Sequence, residues 1–499
     1  MKHRNIMVVG TSSGAGKRMI VTGLCRALTK DGYKVSPFKS QNMALNSFVT
    51  RQGLEMGRAQ VVQAYACGIE PEVYMNPILL KPTTDRKIQV IVNGKSIGNM
   101  SGIEYGKFKT SLKPEIMKSY NYIRKNYDVS IIEGAGSPVE INIKGEDIAN
   151  MKMAEMADAP VILVADIDRG GVFASIYGTI MLMAPEERAR VKGVIINKFR
   201  GDVNILKPGL KEIEELTGVP VIGVMPYSNI DIEDEDSVTE RFKKMKNRKG
   251  INISVIKLKH ISNFTDIDAL GIVEDVNIKY ITSADELGDE DIIIIPGTKN
   301  TIDDLKEIKD NGIATEIIKA SKAGKIIIGI CGGFQMMGEK IKDPYGIESE
   351  IKEIPGLSLL ELETVMEREK NTLQYEGRLI NTSGLFEGLE GEKIKGYEIH
   401  QGVTLGEERK VTADERVVAV VKGENIFGTY LHGIFDNEKV TRHILNKVRE
   451  KKGMELQAQG ISFDEYREQE LDKLEEIFRE NIEMEKIYKI LGEIGRAHV

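Results

Sequence analysis

NIMVVGTSSGAGKRMIVTGLCRALTKDG, residues 5–32, decides the fold. It opens on an apolar, unalternated run, NIMVVG (5–10), which reads as a strand covered on both faces. GTSSGAGK (10–17) follows, and then an amphipathic stretch, MIVTGLCRALTKDG (19–32). Strand, glycine-rich loop, lysine and helix in that order make a phosphate-binding loop. Gly10, Thr11, Gly14 and Gly16 let backbone N–H groups turn toward phosphate oxygens, and the next helix adds its positive N-terminal end. Lys17 supplies a point charge for the β- and γ-phosphates of ATP. Two features depart from the usual loop. Five residues, not four, separate Gly10 from Gly16, and Arg18 stands where a Ser or Thr hydroxyl normally ligates Mg²⁺.

Further along, DVSIIEGAG (128–136), PVILVADID (160–168) and VKGVIINKF (191–199) are also strand-like. Their alternation with helical patterns gives a βαβ rhythm and a mostly parallel sheet. In such a sheet ligands sit at the carboxyl ends of the strands. Glu133 and Asp166 close two of these runs and are therefore metal candidates facing the loop. A helix cap is the plainer reading of Asp166. Lys39, in PFKSQN after YKVSPF, is placed to hold a phosphate or an anionic substrate.

Residues 1–235 read as this ATP-dependent domain, and 236–250 as a charged linker poor in large apolar residues. A second α/β segment spans 251–450, with strands in INISVIKLKH (251–260), DIIIIPG (291–297), GKIIIGICGG (324–333), RVVAVVKG (416–423) and NIFGTYLHG (425–433). Leu471, Leu474, Phe478, Ile487 and Leu491 recur at helical spacing, so 451–492 reads as a helical extension. EIGRAHV (493–499) reads as a non-native tail.

GKIIIGICGGFQMMG (324–338) drives a buried strand into Cys331, two glycines and a helix start. That is nucleophile-elbow logic with sulfur as the nucleophile. The Gly332 N–H is an oxyanion-hole donor, and the loop at Gly297 and Thr298 offers a second. A thiol nucleophile needs a base. Of six histidines, His432 in GTYLHGIF is preferred and His400 in GYEIHQG is the reserve. Cys25 and Cys67 lie in helical stretches and read as core.

The chain has 499 residues, 69 Lys plus Arg against 76 Asp plus Glu, and a net charge of −7. That balance lacks the basic footprint of a nucleic-acid binder. No apolar run approaches the roughly 20 residues that span a bilayer. Three cysteines make no disulfide framework and fit a reducing, cytoplasmic setting.

At these residues the chain resembles a known family. GTSSGAGK (10–17), PFKSQNMALNS (37–47), EMGRAQ (55–60), MNPILLKP (75–82), EGAGSPVEIN (133–142), DIDRGGVFAS (166–175), NKFRGD (197–202), IPGTKNT (295–301), GICGGFQMMG (329–338), GYEIHQG (396–402) and GTYLHGIF (428–435) look like the segments of the adenosylcobyric acid synthases, glutamine-hydrolysing amidotransferases of cobalamin biosynthesis. The resemblance implies a synthetase domain similar to dethiobiotin synthetase, whose loop shares the extra residue, and a class I glutamine amidotransferase domain. It implies ATP, Mg²⁺, glutamine and a corrinoid as cofactors and substrates. The implied reaction amidates the b, d, e and g carboxylates of adenosylcobyrinic acid a,c-diamide. It implies Cys331 as glutaminase nucleophile, His432 as base, Lys17 and its loop on ATP, Asn197 reading adenine and Glu133 on Mg²⁺, and His400 is kept as a glutamine-site candidate. The Glu that class I enzymes place two residues after the base is Ile434 here, which leaves the third member of the triad open. Two rivals stand beside this reading. One is a regulatory P-loop ATPase of related fold, and the other is a corrinoid-binding protein whose synthetase site is impaired by Arg18.

Overall fold

The computed structural model describes residues 3–84, 87–142, 147–232, 250–460 and 462–492. All but the last residue of the expected 236–250 linker, and the whole of 493–499, lie outside the described residues. The chain forms two compact units. The first gathers residues 1–44, 56–232 and 467–499, and the second gathers 45–55 and 233–466.

The first unit is built on a six-stranded parallel sheet. Its order is Val221–Pro226, Val191–Phe199, Val161–Asp166, Arg4–Gly10, Val129–Glu133, Val35–Phe38. Ile6, Val8, Ile131, Ile162, Val164 and Ile195 are buried in its core. This is why the runs lack alternation, since helices cover both faces. The helix Lys17–Lys30 follows the first strand. The helix Phe463–Asn481 sends Leu471, Leu474 and Phe478 into the same core, and Ile487 and Leu491 from the next helical segment join them. Spacings of three and four put the first three on one helical face. Arg26 pairs with Asp472 at 2.7 Å and Arg479 with Asp31 at 2.8 Å, so charged flanks reinforce the apolar seam. A four-stranded sheet, Gln41–Met43, Ile78–Thr84, Lys87–Val92 and Lys95–Ser101, is appended to this unit. Its outer strands, Gln41–Met43 and Lys95–Ser101, are short or polar and carry little period-2 signal in the sequence.

The second unit has its own six-stranded sheet. Val276–Ile281, Ile251–Ile256, Ile292–Ile295, Ile326–Ile330 and Ile426–Thr429 run parallel, and Ala419–Lys422 pairs antiparallel at the edge. A second sheet is dominated by the long antiparallel pair Leu362–Arg378 and Lys393–Gly406. Within this unit Val49 is buried against Tyr397 and Ile399, and Gly53 O accepts a hydrogen bond from the Thr372 hydroxyl at 2.9 Å. Residues 45–55 are thus packed with the sequence around 400, although chain order sets them among the ATP-domain motifs.

Candidate functional site

In the first unit the glycine-rich loop closes through a short 3₁₀ turn, Ser13–Ala15, into the helix Lys17–Lys30. Gly16 has φ +91°, and a side chain there would strike the Asn197 amide. Both facts demand glycine. Lys17 Nζ donates to Ser12 O and Gly136 O, each at 2.9 Å. Its ammonium therefore stands between the loop and the turn after Val129–Glu133. Asn197 Nδ2 donates to Ala15 O at 3.0 Å, while its buried Oδ1 has no partner among the described residues. Lys198, at φ +62°, donates to Gly14 O at 2.7 Å and pairs with Asp166 at 2.8 Å. Two adjacent residues at the end of one strand thus hold two consecutive loop carbonyls. Sequence reading named Asn197 and passed over Lys198. The signal was there, in a lysine directly after a strand-end asparagine.

Glu133 is buried. Lys39 Nζ donates to its Oε1 at 2.8 Å and Gln63 donates to its Oε2. Burial alone would raise the Glu133 carboxyl, but Lys39, Gln63 and the charge of Lys17 hold it below the ordinary carboxylate range. Asp166 accepts from Lys198 and from the Asp168 N–H at 2.8 Å. The Arg18 guanidinium donates to Ile232 O at 3.4 Å. Among the described residues no three His, Cys, Asp or Glu side chains converge as a metal-holding group. With each nearby carboxylate bound to a lysine and an arginine in place of the hydroxyl, these residues do not fit a preformed Mg²⁺ site.

In the second unit Cys331 follows the strand Ile326–Ile330 and precedes the helix Gly332–Met337. Its φ of 52° and ψ of −111° are strained for a residue with a side chain. The strain is that of an elbow, which lifts the thiol clear of the strand end. A Cβ on Gly297 would lie 3.1 Å from the His432 ring and 3.7 Å from Cys331 Cβ, and one on Gly332 would lie 3.2 Å from Thr298 N. The two loops expected to stabilise an oxyanion are therefore side by side at Cys331. Asp304 accepts from the Thr298 hydroxyl and meets His260 Nδ1 at 2.7 Å, which fixes the 297–300 loop.

His432 is the histidine that meets the thiol. Its Nδ1 is 2.7 Å from Asp266 Oδ2, and Gly433 N–H donates to Asp266 Oδ1 at 2.8 Å. All three side chains are buried. Burial pulls the imidazole pKa down, but the charges of Asp266 and Cys331 outweigh it and take it up to about 10. Asp266 is thus the carboxylate that meets His432, where sequence reading named none, while Ile434 is an ordinary core residue. Sequence reading missed it because it lies 166 positions from His432. A cluster of polar residues after the strand Ile251–Ile256 was the available signal. His400 is engaged elsewhere, with Nε2 3.1 Å from Glu398 and its ring stacked on Tyr430 at 3.7 Å. Cys25 and Cys67 are both buried in the first unit's core.

Comparison with known proteins locates both units. Residues 6–238 match the model of the CobQ/CobB/MinD/ParA nucleotide binding domain, and residues 252–440 match that of the CobB/CobQ-like glutamine amidotransferase domain. Similar curated proteins match along nearly their whole length. One from Lachnoclostridium phytofermentans is 51% identical, covering 98% of this chain and 99% of its own, and is named a cobyric acid synthase. Those of Caldanaerobacter subterraneus and Alkaliphilus metalliredigens carry the same name, at 50% and 52% identity, each over 97% of this chain and 98% and 99% of theirs.

Proposed function

Because the chain belongs to the cobyric acid synthase family, we propose that its two sites make one reaction, amidation of corrinoid carboxylates with nitrogen from glutamine. It is a glutamine-dependent amidotransferase and ligase of cobalamin biosynthesis. The finer reading assigns it the b, d, e and g carboxylates of adenosylcobyrinic acid a,c-diamide. The observation that carries the glutamine half is the buried Cys331–His432–Asp266 line.

The chemistry follows from the residues. A carboxylate is a poor acyl donor because its oxygen leaves badly. Transfer of the γ-phosphoryl group of ATP onto that oxygen makes an acyl phosphate and ADP. The loop amides and Lys17 stabilise the charge that builds on the transferred group, and Lys39 is the second cation at hand. Asn197, with its Oδ1 unpartnered, suits an amino group on the base. Mg²⁺ is supplied with the nucleotide. Glu133 or Asp166 would have to exchange its lysine to touch it.

In the second unit Cys331 Sγ attacks the glutamine side-chain amide. His432 gives its proton to the departing nitrogen, and Gly332 and Gly297 take the oxyanion. Water, activated by the now neutral His432, cleaves the thioester to glutamate. Ammonia then attacks the acyl phosphate and releases phosphate.

The test is ADP and glutamate release with corrinoid diamide, ATP, Mg²⁺ and glutamine. The reading requires both products in step with amide formation. Glutamate release with no corrinoid conversion would sink the assigned acceptor, and no glutamate release would sink the glutaminase.

A further inference from the structure

Lys198 reaches the phosphate loop through an irregularity in its own strand. Successive residues of a strand point to opposite faces of the sheet. Asn197 and Lys198 are neighbours in Val191–Phe199, yet both donate to the loop, at Ala15 O and Gly14 O. The pairing with Val221–Pro226 shows how. Ile196 stands opposite Val224 and Phe199 opposite Pro226, so three steps on one strand match two on the other. The extra residue makes a β-bulge, which re-aims a side chain at the end of a strand. Lys198 absorbs it with φ +62°, a left-handed conformation that is costly for a residue with a side chain. Such strain persists only where the surroundings hold it, and here two contacts do.

Those contacts fix what the loop presents. Lys198 Nζ donates to Gly14 O at 2.7 Å and pairs with Asp166 Oδ2 at 2.8 Å. The Asp166 side chain is 7% exposed, and its Oδ1 accepts the Asp168 N–H at 2.8 Å. The carboxylate is thus itself anchored, and the ammonium has a fixed seat. In a trans peptide the C=O and the next N–H point opposite ways. Drawing the Gly14 carbonyl toward Lys198 turns the Ala15 N–H across the loop, where its contact with Ser12 O is long, at 3.3 Å. Asn197 turns the Gly16 N–H in the same manner by holding Ala15 O. Backbone N–H groups turned inward are the donors that a phosphate loop offers.

We propose that Lys198, braced by Asp166, is a positioning residue for phosphoryl transfer. It acts through the Gly14 carbonyl and aims the Ala15 N–H at the phosphates of the nucleotide. The inference rests on the ATP-dependent reading above. It gives Asp166 a role other than metal ligand, since its carboxylate serves the lysine.

The experiment measures, on the full chain, the Kd of ATP by calorimetry and the displacement of ATP by inorganic tripolyphosphate, which has phosphates and no base. Lys198→Gly removes the ammonium and relieves the left-handed backbone. Its thermal midpoint should hold or rise, while ATP and tripolyphosphate each bind about tenfold more weakly, the loss of one hydrogen bond to a charged group. A lysine with a merely structural role would not separate stability from binding in this way. Lys198→Met, which keeps the backbone, should show the same loss and stands in if the glycine variant fails to fold. Asp166→Asn should weaken both ligands by equal factors in Mg²⁺ and in EDTA. The proposal is overturned if tripolyphosphate binding is unchanged in the Lys198 variants, or if binding falls only in step with the thermal midpoint. It is overturned equally if tripolyphosphate cannot displace ATP from the unaltered chain, or if Asp166→Asn weakens binding only with Mg²⁺ present. If the unaltered chain binds no ATP, the nucleotide reading falls and this inference with it. If it does, the variants decide.

Discussion

Asp266 Oδ2 lies 2.7 Å from His432 Nδ1, and the two residues stand 166 positions apart in the chain. The same carboxylate takes the Gly433 N–H through its other oxygen, so both the ring and the backbone beside it are fixed. A hydrogen bond at Nδ1 sets which ring nitrogen is left for the sulfur. Asp266→Asn should therefore lower glutamine hydrolysis by roughly 10²–10⁴-fold, as loss of an orienting carboxylate does in hydrolytic triads. Amidation with ammonium chloride in place of glutamine should be unchanged. If both activities fall together, Asp266 is a folding residue only.

The charged state of His432 also makes stability depend on pH. Its folded pKa is raised to about 10, above the ordinary histidine value of 6.5. A group whose pKa rises on folding stabilises fully below its unfolded value and loses that contribution as pH climbs through the folded value. The unfolding midpoint of the second unit should fall between about pH 6.5 and 10, and Asp266→Asn should flatten that fall. A scan in which the variant keeps the full slope would assign the dependence to another group.

Arg18 turns toward Ile232 O, and the loop lacks the hydroxyl that usually meets Mg²⁺. Arg18→Ser restores that ligand. The Mg²⁺ concentration for half-maximal ADP release should drop by roughly tenfold, and the Kd for Mg²⁺-bound ATP measured calorimetrically should tighten with it. Unchanged Mg²⁺ dependence would mean that another group already serves.

Phe478 is completely buried, and its ring lies so close to Gly23 that a Cβ there would be 2.8 Å away. Phe478→Ala should cost the first unit about 3–5 kcal/mol. Chemical unfolding should show ATP binding lost at lower denaturant while glutamine hydrolysis persists. Equal midpoints for the two activities would contradict the assignment of this helix to the first core.

The parts legible in the sequence share one property, strong local patterning. The run Ile292–Ile295 and the loop at Lys17 are read from neighbours in the chain, because burial on both faces and phosphate binding each impose a short motif. The phosphate loop, the cysteine elbow and His432 come from such motifs. Asp266 was not read, since it acts by meeting a partner that only the fold brings near, and Lys198 was passed over although it directly follows Asn197. The four-stranded sheet beginning at Gln41 escaped for a different reason. A strand such as Lys95–Ser101 is mostly exposed and leaves no apolar alternation to detect.

The packing of residues 45–55 with the strands around Tyr397 has a consequence for inheritance. A gene cut at the apparent boundary near residue 250 yields a second half without Val49 and a first half without the helix bearing Phe478. Each fragment lacks a segment of its own unit's core. A swap of halves at residue 250 would therefore separate each unit from part of its own packing.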